Sequence, residues 1–107
     1  MIKNHNSIIR VESKNAPVVE FDSAAHAAYV RFSTDKVRRT LVVDVQRCLV
    51  TVDLNQSGDV VGIELIGVPE FSINKLIEKA GVRGVTREMI RNTRYVPAKS
   101  DQLELVC

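Results

Sequence analysis

Asp22, His26, Tyr29 and Glu64 are the one set of side chains in this sequence whose types suit chemistry. A histidine near carboxylates can act as a general base or bind a metal ion. No nucleophile stands at a fixed spacing from them, and the other histidine, His5, lies in the polar N-terminal stretch. Asp22 can equally cap a bend through its side chain, and Glu64 can lie on a solvated strand face opposite Leu49. Isolated ionisable residues without a fixed geometry weigh little. The structural reading is therefore preferred, and no catalytic residue, metal ligand or cofactor is assigned. The competing reading is a small-molecule-binding or hydrolase-like domain that uses Asp22, His26 and Glu64.

A second set is basic. Arg87, Arg91 and Arg94 stand at i, i+4 and i+7, one side of a helix, with Lys75, Lys79 and Arg83 adding charge nearby. Phosphate backbones attract such a stripe through counterion release. Arg83, Arg87, Arg91 and Arg94 are the candidate partner-binding residues. Two helices joined by Gly81-Val82-Arg83-Gly84-Val85 suggest a helix-turn-helix, although the helices are short and Arg87 stands where an apolar packing residue would help. Charged helix faces are commonly solvated for solubility alone, so nucleic acid ranks behind protein as the expected partner. Gly58 and Gly62 are not a phosphate loop, because they precede or lie within a strand rather than leading into a helix N-terminus.

Periodicity locates the strands and helices that carry these residues. Leu49 to Ile66 holds two β-branched runs around Asn55-Gln56-Ser57-Gly58, the pattern of a β-hairpin whose glycine supplies positive φ. A register with Leu54 opposite Asp59, Val52 opposite Val61 and Val50 opposite Ile63 makes one face of both strands apolar. Val18 to Phe21 reads as a strand and Asp22 to His26 as a turn or short helical bend. Ala28, Val30 and Phe32 share one face of the next strand. Val37 to Val45 follows, with Leu41, Val43 and Val45 inward and Thr40, Val42 and Asp44 outward. Leu41 is set opposite Val52, and Val43 opposite Val50. Arg39 falls on the apolar side and is expected at a sheet end with its guanidinium in water.

After Ile66 the period changes from two to 3.6. Ser72 is a plausible N-cap, and Ile73, Leu76, Ile77 and Ala80 form one helical stripe that Gly81 ends. Thr86 caps a second helix bounded by Pro97, with Val85 and Ile90 as a hydrophobic staple. Residues 1–16 are an arm or an extra strand, with Ile9 and Val11 inward. Residues 17–66 are the sheet, 71–96 the two helices and 97–107 a tail in which Leu103 to Val106 suit an added strand. The expected fold is α+β: an antiparallel meander of about four strands, covered on one face by a helix, with a second short C-terminal helix.

Length and composition agree. A chain of 107 residues with 45% hydrophobic and 26% charged residues supports one ordinary domain. With five aromatic residues and no tryptophan, the core must be built from aliphatic side chains. No apolar run suits a membrane span, and the opening Met-Ile-Lys-Asn-His-Asn-Ser has no signal-peptide core. Cys48 and Cys107 make neither a disulfide framework nor a metal spacing. A cytoplasmic protein with reduced thiols is expected. The net charge of +2 divides unevenly, with −1 over residues 1–70 and +3 over 71–107.

Phe21-Asp22, then Ala24-Ala25-His26-Ala27-Ala28-Tyr29-Val30, then Asp53 to Gly58 and Gly62-Ile63-Glu64-Leu65-Ile66 together resemble the YuzE-like family of small bacterial domains of unknown function. The likeness spans roughly residues 18–80, and Gly-Ile-Glu is its most specific part. It implies a small curved sheet with a helix and no established activity. Ala24 and His26 replace acids usual in the family, while Asp22, Tyr29 and Glu64 match. Some relatives are encoded beside small toxin-like proteins, which implies an antitoxin-like or partner-binding role. The overall expectation is a non-enzymatic binding module that forms a homo-oligomer and engages a protein or, less favoured, a nucleic acid, with no membrane role.

Overall fold

The computed structural model describes residues 8–46, 48–67 and 72–97. Among these the fold is α+β, with a mixed six-stranded sheet and two short helices. Strands β2 (Val18–Asp22) and β3 (Ala27–Arg31) form an antiparallel hairpin. Its turn is held by Asp22, whose backbone carbonyl and Oδ1 both accept from the Ala25 N–H.

The chain does not continue as a simple meander. β3 pairs with β6 (Val60–Ile66), while β4 (Arg39–Asp44) takes the far edge beside β5 (Leu49–Leu54). Three consecutive antiparallel strands with an earlier one returned beside the last make a Greek-key arrangement. Residues 32–38 make the crossing past the β5–β6 turn. They are fastened there by Phe32 and Ser33 N–H donation to the Val61 carbonyl, by Arg38 N–H to Leu54 O, and by Asn55 Nδ2 to Asp35.

The β5–β6 hairpin forms, but two residues away from the expected register: Val52 pairs with Ile63 and Val50 with Leu65. The cause lies in the loop. Asn55 N–H bonds the Asp59 carbonyl at 2.9 Å, and Asn55 Oδ1 accepts from Ser57 and Asp59 N–H. The turn therefore closes on Asn55 rather than Leu54, and a bulge leaves Val61 as an extra residue. A shift of two preserves which face each side chain occupies. Val50, Val52, Val61 and Ile63 are accordingly all fully buried.

A second bulge, between Val42 and Asp44, changes β4. Leu41 pairs with Val52 as expected and packs on the core. Val43 does not meet Val50; Asp44 takes that position and turns to the helix side, where Lys79 Nζ lies 2.7 Å from its carboxylate. Val43 and Val45, expected inward, are exposed in consequence. Arg39, opposite Leu54 at the sheet end, is exposed as anticipated.

Helix α1 (Ile73–Ala80) begins where Ser72 Oγ accepts from the Lys75 N–H and stops at Gly81, which is left-handed at φ 71°. It buries Ile73, Leu76 and Ala80 against the sheet face formed by Val19, Ala28, Val30, Val50, Val52, Ile63 and Leu65. Helix α2 (Arg87–Arg91) is capped by Thr86, whose hydroxyl accepts from Met89 N–H at 3.1 Å. It is short, as expected, but ends at Arg91, well before Pro97. Asn92 and Thr93 side chains donate to the Glu88 and Met89 carbonyls, and Arg94–Pro97 then become strand β8, parallel to β2.

Between the helices Val82–Arg83 form β7, which pairs in parallel with β1 (Ile9–Arg10). In the N-terminal segment Ile9 and Arg10 are strand and Val11 is buried. The same pairing contradicts a helix-turn-helix: the linker is strand, and α2 has five residues. Leu103 to Val106 lie outside the described residues. No described helix is long and apolar enough to cross a membrane.

Candidate functional site

Alternation along the strands sends Ala28 and Val30 to the core and Tyr29 and Arg31 to the other face of the sheet. Register then fixes their neighbours. One row across that outer face is Val42, Thr51, Glu64, Tyr29, Glu20 and Val96, and the adjoining row includes Thr40, Asp53, Gly62 and Arg31.

Tyr29 organises this face. Its hydroxyl donates to Asp53 Oδ2 at 2.8 Å, across the intervening strand β6. The strand it crosses has Gly62 at that point, and a methyl group there would overlap the Tyr29 ring and hydroxyl. Glycine is required by this close approach. Asp53 also accepts from Thr40 Oγ1 at 2.7 Å, so both carboxylate oxygens are engaged. On the other side, the Arg31 guanidinium lies 5.0 Å from the Tyr29 ring centroid and reaches Glu20 at 3.2 Å. Burial, then the hydrogen bond to Asp53 and its charge, push the Tyr29 phenol well above its ordinary range.

Of the four polar candidates, Tyr29 and Glu64 are brought together as direct cross-strand partners. Asp22 and His26 stand at the turn end of the β2–β3 hairpin instead. Asp22 holds the turn, and exposed His26 adopts φ 51°, its carbonyl accepting from Gly67 N–H. The partner of Tyr29 that sequence reasoning missed is Asp53. Its signal was present, since Asp53 and Gly62 occupy outward positions on paired strands, but only with the corrected register do they stand side by side.

An open cleft of about 540 Å³ lies near one end of the sheet and includes Glu12, Ser33, Asp35, Asp59 and Arg31 in its lining. Asp22, His26 and Glu64 do not line it. Among the described residues no group of three or more His, Cys, Asp or Glu side chains could hold a metal ion.

The basic candidates divide between elements. Arg87 and Arg91 lie one turn apart on α2, Arg83 is on β7 and Arg94 opens β8, so they are not one helical stripe. All four are exposed. The parallel ladder adds Arg10, which stands directly beside Arg83 and is also exposed. Among the described residues no carboxylate pairs with these five arginines. Like charges side by side on a ladder repel.

Comparison with protein-family models, with curated proteins and with solved structures yields no match for this chain.

Proposed function

We propose that this chain is a small, cytoplasmic, non-enzymatic binding module of the bacterial YuzE-like kind, self-associating and antitoxin-like in its dependence on a macromolecular partner. Arg83, Arg87, Arg91 and Arg94, joined by Arg10, meet an anionic surface of that partner, protein or nucleic acid. The observation that carries this reading is the Arg10–Arg83 neighbour pair, two exposed guanidinium groups in adjacent strands without a described carboxylate. A bound anion removes the repulsion. The Tyr29 face supports the same reading from the other side, since its phenol and the Asp53 carboxylate are already committed to each other.

The test is a salt titration with two polyanionic probes, a short duplex and polyglutamate. Binding of the duplex is expected to weaken with salt at a log–log slope near −0.9 per phosphate neutralised. Replacing Arg83, Arg87, Arg91 and Arg94 by Gln lowers that slope by about one unit for each arginine that touches a phosphate. Binding of polyglutamate alone assigns a protein partner. Retention of neither probe at low salt overturns the proposal.

A further inference from the structure

The two edges of the sheet are unequal. β8 is four residues long, parallel to its neighbour and ends in Pro97, which has no N–H to offer. β4 is six residues long, terminal in the sheet, and its outer backbone edge faces no described strand. With the residues that flank it, β4 also carries most of the exposed aliphatic side chains among the described residues: Val42 is 61% exposed and Val45 67%, with Val37 and Val43 exposed beside them. A long apolar edge of this kind is a template for another strand.

The charges at the two ends of that edge complement each other when the strand is reversed. Basic Arg38 and Arg39 stand at one end, Leu41 and Val42 in the middle, and acidic Asp44 at the other. Antiparallel partners share a face, so a two-fold axis normal to the sheet must pass through a residue rather than between two. An axis at Leu41 sets Leu41 against its own copy and Thr40 against Val42. The bulge after Val42 then brings Asp44 to the helix side. There it faces Arg39 of the second copy, which shares that side with Leu41 and Leu54.

We propose that β4 is the docking edge for a second copy of this chain, pairing antiparallel about Leu41 so that two six-stranded sheets become one. The inference rests on the self-association in the preceding reading and assigns its surface. An isologous pair closes at two copies, whereas β4 docking on β8 would leave open ends and grow filaments.

The experiment is sedimentation equilibrium on the full chain over a concentration series, with parent and Val42→Lys compared. Position 42 is exposed, so an unchanged melting temperature is expected for the variant at a concentration below the parent's dissociation constant, where both are monomers. A parent dimer whose dissociation constant rises about tenfold or more in Val42→Lys supports the assignment. A second measurement keeps the register open to refutation. Thr40→Cys protein mixed with Val42→Cys protein should oxidise to a mixed disulfide between positions 40 and 42, mapped by mass spectrometry. A dimer indifferent to Val42→Lys, or one that forms no such link, overturns the β4 assignment and leaves self-association standing. A parent that remains monomeric at high micromolar concentration overturns both. Species that grow beyond two copies overturn the closed pairing.

Discussion

Tyr29 is held by three separate constraints, and each can be removed alone. Tyr29→Phe deletes the hydroxyl that donates to Asp53 and leaves a partly buried carboxylate one donor short. A loss of about 1–3 kcal/mol is expected in chemical denaturation. The raised phenol pKa gives that loss a pH signature. A group whose folded pKa lies above its unfolded value stabilises fully below the unfolded pKa, near 10 for tyrosine, and its contribution is lost as pH rises toward the folded value. Parent stability should therefore decline above about pH 10, and this part of the decline should be missing in Tyr29→Phe. Gly62 supplies a sharper check. Gly62→Ala must displace the Tyr29 ring and break its bond to Asp53. The substitution should destabilise the parent and cost much less on a Tyr29→Ala background, a coupling that a double-mutant cycle measures.

The elements differ in how far they were legible, for reasons visible in particular residues. α1 was readable from end to end because its signals are local: the Ser72 hydroxyl, the Ile73–Ala80 stripe and Gly81 all act within a turn or two. The prediction at Gly81 is correspondingly simple. Nothing lies within 4 Å of an added Cβ, so Gly81→Ala should cost only the left-handed backbone strain, about 1 kcal/mol by thermal melting. β8 was not readable, because its partner β2 lies some 75 residues earlier and a four-residue parallel pair leaves no period to detect. The β4 bulge was likewise hidden. Alternation favoured Val43 and Val45 inward, but Asp44 gains Lys79 and the Gln46 N–H by turning to the helix side. Those partners, Gln46 first, hold its carboxyl below the ordinary aspartate range. Its stabilising contribution is present above the unfolded pKa and lost as pH falls through the folded one. Lys79→Met should raise the Asp44 pKa in an NMR titration without restoring the ordinary value, because the Gln46 N–H remains.

At the scale of the whole molecule, one sheet separates two different surfaces. The helix side is an aliphatic core in which Val52 is fully buried, and Val52→Asp should cost several kcal/mol against a total of roughly 5–15. The outer side carries the Tyr29 network, and the arginines gather where β7, α2 and the start of β8 follow one another. The candidate site was only half legible for this reason. Tyr29 and Glu64 were in the candidate set and pair across β3 and β6, whereas Asp22 and His26 stand apart, and Asp53 depended on a register that the loop decided. Arg10 depended on a parallel pairing between the N-terminal segment and the linker after α1, which no local pattern announces.

In the proposed function the arginines, rather than the Tyr29 face, are the surface that meets a partner. Amide chemical-shift mapping of the labelled full chain during titration with polyglutamate and with a short duplex tests this directly. The shifts are expected at Arg10, Arg83, Arg87, Arg91 and Arg94, to fade as salt is raised, and to spare Tyr29, Asp53 and Glu64. Shifts concentrated on Asp22, Tyr29, Asp53 and Glu64, with the arginine amides unmoved, would contradict it.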